Sequence, residues 1–325
     1  MDEIIQVIHK NQSYCISTHS NPDGDAIGSQ LGFAHTLESL GKSVTLLNRD
    51  PTPRIYRFLA GADRILQTLG EKRSFDVYFI IDCADVSRVG NELTSHVTSR
   101  VTVNIDHHTT NRRFADINWV EPDASSSSEM IYRLARRLEA IISPEMAECL
   151  YTGIVMDTGS FRQGNTTPSA LKIAGDLVEL GANPGRVARE LYEKRPFAQI
   201  QFLGMVLNTL EIRADGLLAL VSVTRKMLQA TGCTAEDIEG FVNYPCSIEG
   251  VEVGALLREE PFRGVKVSLR SRNLADVSRV ASEFGGGGHQ NAAGFYLDGT
   301  LEEVKNRVEE KIRFLLTDVH PIKMG

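Results

Sequence analysis

The sequence predicts an α/β fold in two parts. An N-terminal domain carries a parallel, helix-covered sheet, and a smaller C-terminal α/β domain carries a mixed sheet. In the first half, short apolar runs alternate with segments of helical periodicity, the pattern of strand–helix–strand crossovers. In the second half, turn residues sit directly between apolar runs, the pattern of antiparallel hairpins. A third observation is that Asp and His residues close three of the first-half runs, where open α/β sheets bind ligands.

The elements follow in order. Residues 14–18, 44–48, 77–81 and 101–105 read as strands. Between them, 26–40 places Ile27, Leu31, Ala34 and Leu37 at helical spacing. Residues 125–142 do the same with Ile131, Leu134, Leu138 and Ile142. A polar, helical stretch runs from 185 to 210. Beyond it, Asp215-Gly216 interrupts an apolar run, and 251–258 and 265–272 flank Pro261-Phe262-Arg263-Gly264, both hairpin signals. Residues 274–284 and 301–316 read as helices. The expected divisions are 1–185, a helical linker at 186–210, and 211–325. No internal repeat or low-complexity tract interrupts them.

Composition excludes several classes. At 325 residues and 42% hydrophobic content, the chain can bury ordinary cores in more than one domain. No stretch approaches the roughly 18–20 apolar residues that span a bilayer, so no membrane partner is expected. Met1 to Lys10 lacks a basic region followed by an apolar core, so no signal peptide is expected. Five scattered cysteines with no C-x-x-C pair suit reduced thiols, and a cytoplasmic location is expected. The net charge of −7 argues against duplex DNA, which wants a basic face. A small anionic substrate stays open, because bound divalent cations can reverse the sign of a pocket.

The chemistry lies in the acids and histidines. The first strand ends in His19, followed by Ser20-Asn21-Pro22-Asp23-Gly24-Asp25. The run at 77–81 ends in Asp82, and that at 101–105 in Asp106-His107-His108. Two carboxylates on one tight turn beside a histidine call for a cation. Asp23-Gly24-Asp25 alone could be a turn or part of a calcium loop, but Ala26, Ile27 and Gly28 follow and no Glu stands at the twelfth place. A lone strand-end Asp is a helix cap or ion-pair partner, and an isolated His pair is usually structural. The joint pattern points to metal. With Asp and His donors and no thiolate, Mn²⁺ suits best and Mg²⁺ less well, with zinc and iron open. Six ligands are too many for one open site, whereas two metals about 3.5–4 Å apart would use them. His9, His96 and His320 lie in polar surroundings and read as surface, and His35 reads as packed within the first helix.

The motifs at 19–25, Asp82 and 106–108, in that order, resemble those of the DHH phosphoesterase superfamily. A fourth motif of that superfamily matches residues 152–161, Thr-Gly-Ile-Val-Met-Asp157-Thr-Gly-Ser-Phe. Residues 284–294, Phe-Gly-Gly-Gly-Gly-His289-Gln-Asn-Ala-Ala-Gly, resemble the DHHA1 signature. The resemblance covers nearly the whole chain and is nearest the bacterial bifunctional oligoribonuclease / pAp phosphatase subgroup. It implies two Mn²⁺ ions in a site in the cleft between the domains. His19 and Asp23 would hold one ion, and Asp25, His107 and Asp157 the other, with Asp82 bridging. Asp106 would orient His107. His108 would contact the scissile phosphate or assist proton transfer. Asp157 enters through the resemblance alone, since its surroundings read only as a helix end.

Secondary candidates concern phosphate. Four glycines, 285–288, can turn backbone N–H groups around an anion, and His289 adds a donor, so Gly287, Gly288 and His289 are candidates against a plain turn. On the 265–272 strand, Ser268, Arg270 and Arg272 share one face, which suits a phosphate clamp, Arg270 first, against a solvated edge. The resemblance implies that this domain grips a substrate's 5′-phosphate. Ser126 and Glu129 have capping-box spacing, and their helix could also approach the metals. Asn111, Arg113 and Arg162 follow metal motifs and could touch phosphate or serve as loop donors.

The expected activity is a Mn-dependent phosphoesterase that releases 5′-mononucleotides from short RNA or DNA oligonucleotides, or phosphate from pAp, with linear dinucleotides such as pApA also fitting. Three alternatives compete. A single-strand exonuclease of the RecJ type shares both domains but carries an added nucleic-acid module for which this chain has no room. A manganese pyrophosphatase shares the N-terminal motifs but has a lysine-bearing second-domain signature in place of Gly-Gly-Gly-Gly-His-Gln-Asn-Ala-Ala-Gly. A non-catalytic nucleotide sensor has no need of six intact ligands. A homodimer is compatible with the chain, though no exposed seam demands one.

Overall fold

The structure, a computed structural model, describes residues 1–261, 264–272 and 274–319, the side chains of His289 and 317–319 excepted. Phe262, Arg263 and His320 therefore lie outside the described residues, as does the side chain of the candidate His289. The chain divides into two compact units, Met1–Lys194 and Arg195–Gly325.

The first unit contains α1 (Asp2–Lys10), β1 (Ser13–Ser17), α2 (Gly24–Ser39), β2 (Ser43–Leu46), β3 (Arg73–Ile81), α3 (Asn91–His96), β4 (Val97–Asp106), β5 (Ile117–Val120), α4 (Ser127–Arg137), α5 (Pro144–Asp157), α6 (Pro168–Glu179) and α7 (Pro184–Ala188). A π-helical turn, Arg189–Glu193, extends α7. The sheet order is β2-β1-β3-β4-β5 and every pairing is parallel, as the alternating pattern predicts. The last five residues of β3 are all buried, the near-continuous apolar run of a strand covered on both faces. In this order the chain leaves β1 in one direction for β2 and returns on the other side of β1 as β3. The order thus reverses between β1 and β3, and the crevice beyond their carboxyl ends is the fold's ready-made ligand site.

Two local devices fix that crevice. Buried Gln30 of α2 and Asn48 exchange two side-chain hydrogen bonds (2.9 and 2.8 Å), and Asn48 Oδ1 accepts from Thr18 N at 3.2 Å. This network anchors the residue just before His19. Second, α2 is buried along nearly its whole length and crosses α5 at glycines. A Cβ at Gly28 would lie 2.5 Å from Cys149 O, and one at Gly153 would lie 1.9 Å from Ser128 Oγ. Only glycine permits this approach, which carries Asp157, the last residue of α5, toward the strand ends.

The second unit contains α8 (Phe197–Leu207), β6 (Glu211–Arg213), β7 (Leu218–Val223), α9 (Arg225–Thr231), α10 (Asn243–Cys246), β8 (Val253–Glu259), β9 (Val265–Ser271), α11 (Val277–Glu283), β10 (Gly287–His289), β11 (Ala292–Leu297) and α12 (Leu301–Val319). Its sheet order is β10-β11-β9-β8-β7-β6. The β7–β8 pairing is parallel and the others are antiparallel, which is the expected mixed sheet. On β9, Val265, Val267 and Leu269 are buried beside Val277 and Val280 of α11 and Val304, Val308 and Ile312 of α12. The helical stretch at 186–210 falls on both sides of the division between units, with α7 in the first and α8 in the second. Among the described residues no helix is long and apolar enough to cross a membrane.

Candidate metal and phosphate centre

The carboxyl ends of β1, β3 and β4 are adjacent, and their polar residues converge. His19 Nδ1 lies 2.9 Å from Ser20 O. A carbonyl only accepts, so Nδ1 carries the hydrogen and Nε2 offers its lone pair. That Nε2 is 3.9 Å from Asp23 Oδ2 and 3.6 Å from Asp82 Oδ2. Asp23 caps α2 with its other oxygen, accepting from Asp25 N and Ala26 N at 3.1 Å. The helix cap and the candidate ligand are therefore one residue with two oxygens.

His107 repeats the arrangement. Its Nδ1 faces Ala124 O at 3.3 Å, while Nε2 is 3.5 Å from Asp82 Oδ1, 3.7 Å from Asp157 Oδ2 and 3.9 Å from Asp25 Oδ2. Asp25, almost fully buried, also receives Ser127 N (2.6 Å) and Ser128 N (2.9 Å) at the start of α4, where the helix dipole favours a carboxylate. Ser127 Oγ donates to Asp82 Oδ1 at 3.0 Å. Asp82 has a left-handed backbone (φ +56°), a conformation that Asp tolerates better than most residues.

Two groups of donor atoms each fall within 4.8 Å: His19, Asp23 and Asp82, and Asp82, His107 and His108. Asp82 belongs to both. Ligand bonds of about 2.0–2.2 Å place neighbouring donors roughly 3–3.6 Å apart. The separations of 3.5–3.9 Å between imidazole nitrogens and carboxylate oxygens are long for hydrogen bonds and near that spacing. The residues present fit a divalent cation: oxygen and imidazole donors, ring hydrogens turned outward, and a shared carboxylate at the centre.

Charge carries the same message. Burial and the neighbouring Asp82 and Asp157 carboxylates push Asp25 well above the usual carboxylate range. Burial, with Asp23 and Asp82, raises Asp157 to about 7 against the opposing pull of His107. Burial alone would raise Asp82, but His107, His19 and His108 hold it well below its ordinary value. Burial disfavours charge on His19 and His107, yet the surrounding carboxylates overcome it and raise both. Without metal, this cluster therefore keeps protons that an unfolded chain would release.

A pH prediction follows. Asp25 and Asp157 bind protons in the folded state above 3.8, so their contribution to stability declines as pH rises, for Asp157 through about 7. The stabilisation from raised His19 and His107 is complete below 6.5 and is lost as pH rises through their folded values. Asp82's contribution is lost only below 3.8. Between about pH 5 and pH 8 every working contribution has one sign, so the metal-free Tm is expected to fall as pH rises. Because ligands must shed protons to bind metal, stabilisation by added Mn²⁺ is expected to grow over the same interval. Thermal unfolding with chelator and with Mn²⁺ checks both; a flat metal-free profile would contradict this electrostatic account.

The expected residues distribute as follows. His19, Asp23, Asp25, Asp82, His107 and Asp157 are brought together as described. Asp106, fully buried, hydrogen-bonds His108 Nδ1 at 2.7 Å, not His107 as expected; the His107 Nδ1 hydrogen goes to a backbone carbonyl instead. Asn111 also takes a different place. Its Nδ2 donates to Asp106 Oδ2 (2.5 Å) and Asn104 Oδ1 (2.8 Å), so its amide serves to hold the Asp106–His108 pair. The Arg113 side chain is exposed, and exposed Arg162 donates from Nε to Gly159 O at 2.8 Å. Arg272 lies just past β9 and donates to Cys246 O, Ser247 O and Ile248 O at 3.0–3.1 Å, closing the carboxyl end of α10. Its Nε and Nη2 are thus engaged with backbone, a structural role that the alternation of the strand did not show. Half-buried Arg270 donates from Nη1 to Leu269 O at 3.0 Å.

Gly287 and Gly288 form no open loop. They pair with Gly294 and Ala293 in a strand at the sheet edge, and a Cβ at Gly288 would fall 2.3 Å from Ala292 O. The capping box is split. Ser126 Oγ accepts from Glu129 N, but Glu129 Oε2 accepts from Ser125 N and Oγ. Sequence reasoning missed Ser127 as an Asp82 partner and Asn165, whose Nδ2 donates to Asp157 Oδ2 at 3.1 Å. Only the approach of a Ser-rich helix start to the metals was in view. It also missed Arg88, which follows Asp82 by six residues with no distinguishing pattern.

Comparison with known proteins agrees with this geometry. The profile of the DHH family N-terminal domain matches residues 13–154, and that of the DHHA1 domain matches 219–315. The chain is 36% identical to the bifunctional oligoribonuclease and PAP phosphatase NrnA of Thermus thermophilus, over 93% of this chain and 90% of that protein. It is 27% identical to the protein of the same name from Bacillus subtilis, over 90% and 91%. The crystal structure of an exopolyphosphatase-related protein from Bacteroides fragilis superposes with a TM-score of 0.90 at 32% identity, covering 97% of both chains.

Proposed function

The chain belongs to the DHH/DHHA1 phosphoesterase family, and from that membership we propose that it hydrolyses short 5′-phosphorylated oligonucleotides, of about two to five nucleotides, to 5′-mononucleotides and dephosphorylates pAp to AMP at a two-metal site. The observation that carries the metal chemistry is the pair of donor groups meeting at Asp82. The relatives named for oligoribonuclease and PAP phosphatase activity support the substrate class.

His19 and Asp23 would hold one cation and Asp25, His107 and Asp157 the other, with Asp82 available to both; Mn²⁺ would suit this oxygen and imidazole set. When bound, such a pair polarises a phosphoryl group and brings a water's pKa toward neutrality. The remaining work belongs to the chain. Asp106 and Asn111 fix the His108 ring with Nδ1–H on Asp106, so that Nε2 takes up a proton as the neutral ring and hands it to the leaving oxygen as the imidazolium. Ser127 and Asn165 hold Asp82 and Asp157 at fixed rotamers. In the second unit, Arg270 remains the candidate for a 5′-phosphate contact. Both activities are one chemistry: the phosphorus attacked lies on the 3′ side of a 5′-phosphorylated nucleotide.

The test is turnover with Mn²⁺ on pAp, pApA, an RNA of about five nucleotides, an RNA of about 24 nucleotides, and pyrophosphate. The expected ranking has the short nucleotides fastest, with rate falling steeply with length. Hydrolysis of pyrophosphate alone would replace this reading with a pyrophosphatase, and fastest hydrolysis of the long strand with a processive exonuclease.

A further inference from the structure

We propose that Arg88 is a phosphate-contacting residue of this site, taking a non-bridging oxygen of the phosphoryl group under attack. The inference rests on the phosphoesterase reading above but not on which nucleotide is hydrolysed. Arg88 ends a short 3-10 turn, Val86–Arg88, in the loop that follows Asp82. Its backbone is pinned on both sides: its carbonyl accepts from Ser20 N at 2.7 Å, and its N–H donates to Asp85 O at 3.0 Å. Ser20 is the residue after His19, so this bond ties the turn to the first ligand loop. The guanidinium is exposed, and Nη2 stands 3.3 Å from His19 Nδ1.

Three ordinary roles fail to account for it. It is not a hydrogen-bond donor to His19, because Nδ1 already carries a hydrogen directed at Ser20 O, and two donors do not bond. It is not half of an ion pair: among the described residues no carboxylate lies within 4 Å of it. The nearest acid in sequence, Asp85, spends one oxygen on Ser87 N and the other on Arg112 at 2.7 Å. It is not a cap for helix carbonyls, unlike Arg272. A cation has thus been fixed at the rim of a cluster of carboxylates with no ion-pair partner within 4 Å among the described residues.

Charge balance says what it would take. Four carboxylates, Asp23, Asp25, Asp82 and Asp157, match the charge of two divalent cations. An arriving phosphoryl group brings further negative charge that this balance does not cover. A planar guanidinium beside the His19 group answers that charge with paired donors, the geometry that phosphate oxygens favour.

The experiment uses inorganic phosphate as the probe, titrated calorimetrically into Mn²⁺-loaded protein, with metal content per chain and Tm measured alongside. Arg88→Ala is expected to weaken phosphate binding about ten- to a hundredfold. Arg88→Lys, which keeps the charge and loses the fork, should fall between. Metal content and Tm should match wild type in both. Arg49, whose side chain lies along Gly90, provides the control for general positive charge, and Arg49→Ala should bind phosphate as wild type does. The proposal is overturned if wild-type protein binds no phosphate, if Arg88→Ala binds it undiminished, if Arg49→Ala loses as much, or if Arg88→Ala loses metal and so reveals a His19-positioning role. A protein that binds phosphate through Arg88 but turns over none of the nucleotides would sink the functional reading and leave this one standing.

Discussion

Replacing Asp82 is expected to lower kcat on pAp by at least about a thousandfold. Asp82 is buried at the end of β3, and its two oxygens face His19, His107, His108 and Ser127. No other residue belongs to both donor groups. Removing its charge leaves each imidazole without its common partner and breaks the link between the two halves of the site. The better variant is Asp82→Asn, because Asn also accepts the left-handed backbone at this position. Folding should survive. The loss of favourable charge beside His19 and His107 is offset by relief of repulsion, since Asp82 raises the pKa of both Asp25 and Asp157. Circular dichroism and Tm verify the fold, and steady-state kinetics read the effect. Retention of even a tenth of wild-type kcat would remove Asp82 from the centre of the account.

Gly153→Ala is expected to destabilise the protein by about 1–3 kcal/mol and to weaken metal binding about tenfold or more. A Cβ there would lie 1.9 Å from Ser128 Oγ and 2.8 Å from Asp25 Oδ1. Among the described residues Ser128 Oγ makes no well-formed hydrogen bond, and it can swing away. Asp25 Oδ1 cannot move without leaving Ser128 N, which it accepts at 2.9 Å. The added methyl group therefore strikes a candidate ligand through its support, or parts α5 from α4 and carries Asp157 off with it. Thermal unfolding gives the first effect and Mn²⁺ titration the second. A variant with lowered Tm but wild-type metal affinity would show that this crossing serves packing alone.

Much of the site was legible because the strands of a parallel sheet are apolar runs, and a run that stops abruptly at His19, Asp82 or Asp106 announces its carboxyl end. The hairpins were legible for a similar reason: Asp215-Gly216 and Gly264 are turn residues between strands. What stayed hidden depends on contacts distant in sequence. Asp157 reaches the site only because α5 crosses α2 at glycines, and no local pattern encodes that crossing. Strand β5 is four residues long with Asn118 inside it, too short and too polar to show alternation. Arg272 follows the alternation of β9, but the strand stops at Ser271 and the side chain turns to the carbonyls of 246–248. The glycine run invited an anion-binding reading, whereas close strand pairing already demands glycine at Gly288. The Asp106–His108 pair, two residues apart, was misread as Asp106–His107 because spacing alone does not say which ring turns toward the carboxylate.

The most direct test of the account is the metal content of chelator-stripped protein after titration with Mn²⁺, read together with phosphate release from pAp at each point. The account predicts no release without metal, activity that climbs as a second equivalent binds, and neither a second equivalent nor activity in Asp82→Asn. Full phosphate release from the stripped protein, or from a protein saturated at one equivalent, would contradict the claim that Asp82 joins two metals into one hydrolytic centre.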